Sequence, residues 1–391
     1  MRLSPIQVLF RFFKAILMLA FLAGCVESFE PGTEVFEDAL VIESTITDEM
    51  GRQEVVLSRA FRFEEFVPEP EQGAKVMVVD DSGNEFAFEE TTAGRYTSNV
   101  DFAAEQGRSY QLLITTSSGD EYASEQVVAP ERFPIGEISA GATEENGGGI
   151  DIFVDYEPSQ AAKYFRYKYE ETYKIIAPDW NSQMLAFEGP VLVLKARILD
   201  EKTCFNTNLS QNININNPRL TTSNSVPRFS VRFIQKDNYI ISHRYSILVK
   251  QLVLTEASYN YFEQLQEANE GDDVFSPSQP GFFRGNVFSV NKPEENVLGF
   301  FHVASISSER LFFDYVDFYP EEALPPYVDK CFPFVPPLEP NEEEPSIGEL
   351  MDANAIRYHS ITATGKFAVV PRVCGDCTVL GSTEIPEFWE E

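Results

Sequence analysis

The chain is short of histidine, tryptophan and positive charge: its 391 residues include 3 His, 2 Trp and 30 Lys plus Arg against 62 Asp plus Glu. A formal charge of −32 leaves no basic face for a phosphate backbone, so no nucleic acid partner is expected. Such a charge suits solubility and repulsion from anionic surfaces. The sequence holds no G-x-S-x-G, H-E-x-x-H or Walker A pattern. His243, His302 and His359 each sit in or beside a strand-like run with no patterned nucleophile, and they read as structural. The chain is therefore not expected to be an enzyme, nor to hold a metal or cofactor, and its ligand is unknown. A long apolar run is missing as well, because the stretch from Ala15 to Gly24 falls far below the roughly 20 residues of a spanning helix.

That short run follows Arg2, Arg11 and Lys14 and ends in small residues, the layout of a signal peptide over 1–24. Leu22-Ala23-Gly24-Cys25 resembles the bacterial lipoprotein box, which implies cleavage before Cys25 and acylation of its thiol and new amino terminus. Several acyl chains hold a protein on a membrane where one binds only marginally. Residues 25–38 carry Glu27, Glu30, Glu34, Glu37 and Asp38 around Pro31 and Gly32, and read as a flexible acidic tether. Acids close behind the cysteine look like the surface-export signals of Bacteroidota lipoproteins. The expectation is an outer-membrane protein, lipid-anchored and exposed at the cell surface, with the periplasmic face less favoured.

With Cys25 acylated, Cys204, Cys331, Cys374 and Cys377 form an even set in an oxidising compartment. Three pairings are open to them. Longer loops remove more unfolded-state entropy, which favours tying both cysteines of "CGDC" separately to Cys204 and Cys331. A redox role wants a helix amino terminus, whereas Arg372-Val373 and Thr378-Val379-Leu380 read as extended and Asp376 opposes a thiolate. Zinc would need a second close pair.

Mainly β is the expected fold class. Residues 39–130 show short alternating runs such as "ALVIESTI" and "AKVMVVDD" with turns at Asp81-Ser82-Gly83-Asn84 and Ser118-Gly119-Asp120, the pattern of a β-sandwich. The first turn, "DDSGNE", lacks calcium-loop spacing. Gly147-Gly148-Gly149 is the candidate boundary loop, and 133–391 reads as a larger β-rich domain with one amphipathic helix near 256–270, capped by Thr255 and stopped by Gly271. "PPLEPNEEEPSIGEL", 336–350, is too acidic and proline-rich to order itself and reads as an exposed loop. Trp180, in a Pro-Asp-Trp-Asn turn, is the one weak candidate for a ligand or partner contact.

"GAKVMVVDDSGNEFAFEETTAGRYTS" looks like the immunoglobulin-like or transthyretin-like modules related to carboxypeptidase regulatory domains. Together with "RYSILVKQLVLTEASYNYFEQLQEANE", "ENVLGFFHVASISSERLFF" and the closing "PEFW", the chain resembles the domain-of-unknown-function family 4249 of Bacteroidota lipoproteins. The resemblance implies association with an outer-membrane β-barrel of the TonB-dependent transporter type, as a non-enzymatic accessory subunit for substrate capture or as a lid. The alternative is a structural component of an outer-membrane assembly or adhesion complex.

Overall fold

The computed structural model describes residues 39–60, 68–155, 164–218, 228–270, 283, 285–340 and 344–391. The leader, Cys25, the tether and Gly271 lie outside them. The protein is mainly β, sandwich-like, with few helices. Alternation is the cause: in Leu40–Thr47 (β1), Leu40, Ile42 and Ile46 are buried while Glu43 is exposed, because a period of two sends successive side chains to opposite faces.

Most described strands join one mixed sheet of 15 strands. Its path runs from Thr203–Leu209 through Phe165–Ile176 (β2), Arg244–Val253 (β3) and Val297–Asp314 (β4) to β1, then through Glu54–Arg59 into the hairpins between Lys75 and Ser124. The long β4 joins the two halves. Its first part runs parallel to β1, from Val297 opposite Leu40 to Ala304 opposite Thr47. The remainder pairs antiparallel with β3, from Ser305 opposite Val253 to Asp314 opposite Arg244. Gly299 permits the close approach: it sits at φ +106°, where an added Cβ would lie 2.0 Å from the Ile42 carbonyl oxygen.

Leu40, Ile42, Leu57, Val78, Tyr96 and Leu112 form the first core, and Val287, Phe301 and Val303 join it from far along the chain. The division at 130–133 is thereby corrected. The first half has open strand edges at β1 and Glu121–Ser124, and these are covered by β4 and Val287–Ser289. Ile150, Ile152, Val154, Tyr167, Tyr245 and Val249 belong to the second core. Gly147 and Gly148, at φ +90° and +88°, lie in the connection between the paired strands Ile138–Thr143 and Gly149–Asp155. They mark a hairpin and not a boundary.

The expected helix forms over Glu256–Glu270 (α1), and Thr255 Oγ1 accepts from the Ser258 amide at 3.1 Å. Its Tyr259, Phe262, Tyr261 and Leu265 pack on Leu252, Ala304 and Ile306, so it lies over the face of the sheet. A small fourth cluster, Leu185, Ile347, Ile356, Tyr358 and Val369, gathers two hairpins, Gln183–Glu188 with Val191–Ala196 and Ile356–Ile361 with Phe367–Pro371. Ile347–Asp352 (α2) closes it. This corrects the reading of 336–350 as a wholly exposed loop: Ser346 and Glu349 make a reciprocal capping box, and buried Ile347 anchors the turn.

Candidate functional site

A core as small as the fourth cluster benefits from covalent links, and two disulfides lie near it, one of them, Cys204 with Cys377, within the second core. Cys204 is joined to Cys377 and Cys331 to Cys374, with Cα separations of 5.6 and 5.5 Å. Arg372-Val373 and Thr378-Val379, flanking "CGDC" and expected to be extended, are helical instead. Arg372–Gly375 forms a short helix (α3) and Cys377–Val379 a 3₁₀ turn, because Asp376 between them collects hydrogen bonds instead of opposing a thiolate. Its Oδ1 accepts from Thr378 N at 2.9 Å and Thr378 Oγ1 at 2.5 Å, and its Oδ2 from Arg357 Nη2 at 2.5 Å and Arg372 Nε at 2.9 Å. Burial alone would raise this carboxyl, but the bonds from Thr378 and Arg372 and the charge of Arg357 hold it at about 2. Among the described residues the one cluster of metal-ligand types is Asp179 with Cys331 and Cys374, whose sulfurs are bonded to each other.

Beside this module opens a cleft of about 680 Å³ between the first hairpin and α2, lined by Met184, Leu185, Ile198, Leu199, Met351 and Tyr358. Ile198 is 95% exposed and Leu199 66%. Arg197 fixes the loop that carries them, donating from Nη1 to Gly375 O at 2.8 Å and pairing with Glu201 at 2.7 Å. Exposed apolar residues rimmed by charge mark association surfaces.

A second cavity, of about 520 Å³, lies between α1 and the sheet face, lined by residues of β1, β2 and β4. Glu43, Glu54, Arg166, Lys168, Tyr261, Phe262, Leu265, Phe300 and His302 contribute side chains to its lining. His302, only 5% exposed, is stacked with Phe262 at 4.4 Å and Phe300 at 4.6 Å between ring centroids. The Arg166 guanidinium lies 4.0 Å from the Phe262 ring centre. Among the described residues, Arg166 Nε and His302 Nδ1 are buried without a hydrogen-bond partner. Burial pushes Arg166 down to about 10 against the opposing pull of Glu43. Burial and the Arg166 charge take Lys168 to about 8, and burial with both cations takes His302 to about 3.

A family model for the domain of unknown function DUF4249 matches residues 26–310. The chain belongs to the DUF4249 family. The match takes in β1, β2, α1 and β4 as far as residue 310, whereas α2, the second hairpin and "CGDC" lie beyond it. No curated protein matches this DUF4249 chain in sequence. Among solved structures it is similar to a DUF4785 family protein from Legionella pneumophila, at 8% identity and a TM-score of 0.17. That likeness spans 55% of this chain and about half, 51%, of the other, and at such a score it carries no argument.

The residues singled out from the sequence are distributed unevenly over these sites. Trp180 packs partly buried against the second core, with its Nε1 buried and without a partner among the described residues, and it lines neither cavity. His359 Nδ1 lies 2.8 Å from Ser360 Oγ, and its Nε2 lies 3.7 Å from Asp179. His243 is half-buried ahead of β3, its pKa lowered by burial and by Lys174. His302 departs from the expected satisfied histidine, since one ring nitrogen is unpaired in a cavity. Arg166 and Lys168 were missed altogether. The signal for them was the alternation in "FRYKYE", which sets Phe165 and Tyr167 on one face and Arg166 and Lys168 on the other.

Proposed function

We propose that this chain is a non-enzymatic, lipid-anchored outer-membrane protein that serves as an accessory subunit of a TonB-dependent transporter, as a substrate-capturing partner or a lid. The observation that carries the reading is the apolar cleft at Ile198 and Leu199, on a module cross-linked beside its small core. An acid-rich chain gains nothing in solubility from such a patch, whereas a partner interface has an apolar centre inside a charged rim. The lipoprotein-box resemblance at Cys25 supports the anchor and the surface location. No helix among the described residues is long and apolar enough to cross a membrane. Acylation at Cys25 supplies attachment by another route.

The test is isolation of the tagged full chain from its native membranes in mild detergent. Co-isolation with a large β-barrel, lost in the double variant Ile198→Asp/Leu199→Asp, is the expected result. Recovery as a lone monomer would sink the proposal. Acyl labelling that survives Cys25→Ala would remove the anchor from it.

A further inference from the structure

We propose that the cavity beneath α1 is a binding site for a small organic oxyanion, a carboxylate or phosphate carried on a planar apolar body, with Arg166 and Lys168 holding the charge. The inference goes beyond the accessory-subunit reading and does not need it. It begins from charge pairing. Arg310 pairs with Glu170 at 3.2 Å, Arg244 with Asp314 at 2.6 Å, Arg232 with Glu171 at 3.0 Å and Lys174 with Glu391 at 2.8 Å. These four cations lie on or against the same strands as Arg166 and Lys168, and the chain has 62 acids to offer. Arg166 and Lys168 nevertheless make no ion pair within 4.0 Å among the described residues.

Their placement worsens the repulsion. Lys168 stands directly opposite Lys250 in the β2 and β3 register, and like charges facing across strands destabilise a sheet. Glu43 and Glu54 line the cavity too, but neither approaches within ion-pair distance of Arg166 or Lys168. A desolvated cation without a partner is costly, and persists where something outside the fold completes it. His302 supplies an independent sign. It is 5% exposed, its Nδ1 has no partner among the described residues, and its ring is fixed between Phe262 and Phe300 at the wall of the cavity.

Neutral in the folded protein, the imidazole offers one N–H donor and one acceptor. An oxyanion between Arg166 and Lys168 would take charge-assisted hydrogen bonds from the guanidinium fork and the ammonium. Tyr261, Phe262 and Leu265 would cover its apolar part. The volume, about 520 Å³, suits a ligand of that size.

The probes are benzoate, phenyl phosphate and inorganic phosphate, with benzyl alcohol as the neutral control, each titrated into the detergent-solubilised full chain by calorimetry and thermal melting. Saturable binding of benzoate or phenyl phosphate is expected, tighter than inorganic phosphate, with no response to benzyl alcohol; which aromatic anion binds more tightly separates carboxylate from phosphate. Lys168→Met is expected to weaken binding about tenfold or more while melting no lower than wild type without ligand. Arg166→Lys, which keeps the charge, is expected to retain part of the affinity. Failure of every anion to bind, equal binding by Lys168→Met, or a benzyl alcohol response matching benzoate would overturn the proposal. Inorganic phosphate binding as tightly as phenyl phosphate would overturn the role of the apolar wall. Because no barrel enters this measurement, its outcome is separate from that of co-isolation.

Discussion

Arg357 and Arg372 converge on one carboxylate, whereas Arg166 and Lys168 converge on an open cavity. Both pairs are half-buried and both come from the same acid-rich chain, so a shortage of acids explains neither arrangement. In the cross-linked module Asp376 is fully buried, and its hydrogen bonds engage both carboxylate oxygens. Charge there fixes backbone: it orients α3, the 3₁₀ turn and the two disulfide sulfurs on either side. Beneath α1, Arg166 stacks on Phe262, but neither cation meets a carboxylate within 4.0 Å among the described residues. The comparison separates charge that builds a fold from charge held in readiness at some cost in stability.

The largest break in this contrast falls on the staples. The double variant Cys204→Ala/Cys377→Ala opens a link between residues 173 apart, for which chain entropy gives a loss of about 5 kcal/mol. Cys331→Ala/Cys374→Ala opens one of 43, for about 4 kcal/mol. Urea unfolding should rank them in that order. A loss below about 1 kcal/mol in both would mean that the fourth cluster stands without its links.

Asp376→Asn comes next, with an expected cost of about 2 kcal/mol, because a fully buried carboxylate is lost and two half-buried guanidinium groups lose their counter-charge. The effect has a pH signature. A carboxyl held at about 2 in the folded chain and near 4 in the unfolded one contributes stability that is complete above about pH 4. That contribution is lost as the pH falls toward 2. Denaturation followed from pH 5 to pH 2 should show the loss in wild type, and a much flatter profile in the variant.

His302→Phe should move the other way, since it removes an unpaired buried nitrogen, and a gain of about 1 kcal/mol near pH 6 is expected. The sign with pH is the same as for Asp376 but the window differs. His302 is depressed to about 3 from an unfolded value near 6.5, so the folded chain prefers the neutral ring and stability drains away from about pH 6.5 downward. Wild type should therefore weaken between pH 6.5 and 4, where Asp376 is still silent, and the variant should not. Parallel profiles in that interval would show that His302 is not held neutral by its cavity.

How much of this was legible follows from where each determinant resides. α1 was legible because its signals are local: a threonine cap, an acid in the first turn and apolar residues at helical spacing. The strands were legible through their period of two. The sequence alone left three disulfide pairings open, and only the entropy of long loops pointed toward separate partners for Cys374 and Cys377. The geometry of "CGDC" was not legible, since Arg357, 19 residues before Asp376 in sequence, helps to turn the segment. The cavity was least visible. Its cations stand on β2, its histidine on β4 and its aromatic lid on α1, and the passage of β4 from β1 to β3 between Ala304 and Ser305 brings them together. Read singly, Arg166 and Lys168 are the polar face of an amphipathic strand.

The smallest expected effect tests whether α1 belongs to the cavity or only lies over it. Thr255→Ala removes the acceptor for the Ser258 amide and the 3.0 Å contact between the two hydroxyls, at a cost of about 1 kcal/mol. By amide hydrogen exchange, α1 should open about fivefold more often, while the amides around Cys374 and Cys377 keep their wild-type protection. Tyr261, Phe262 and Leu265 all ride on this helix, so a frayed first turn should also weaken benzoate binding by a smaller factor than Lys168→Met. If binding stays at the wild-type level while exchange of α1 rises, the lid contributes nothing to the anion, and Arg166 and Lys168 must act from the sheet alone.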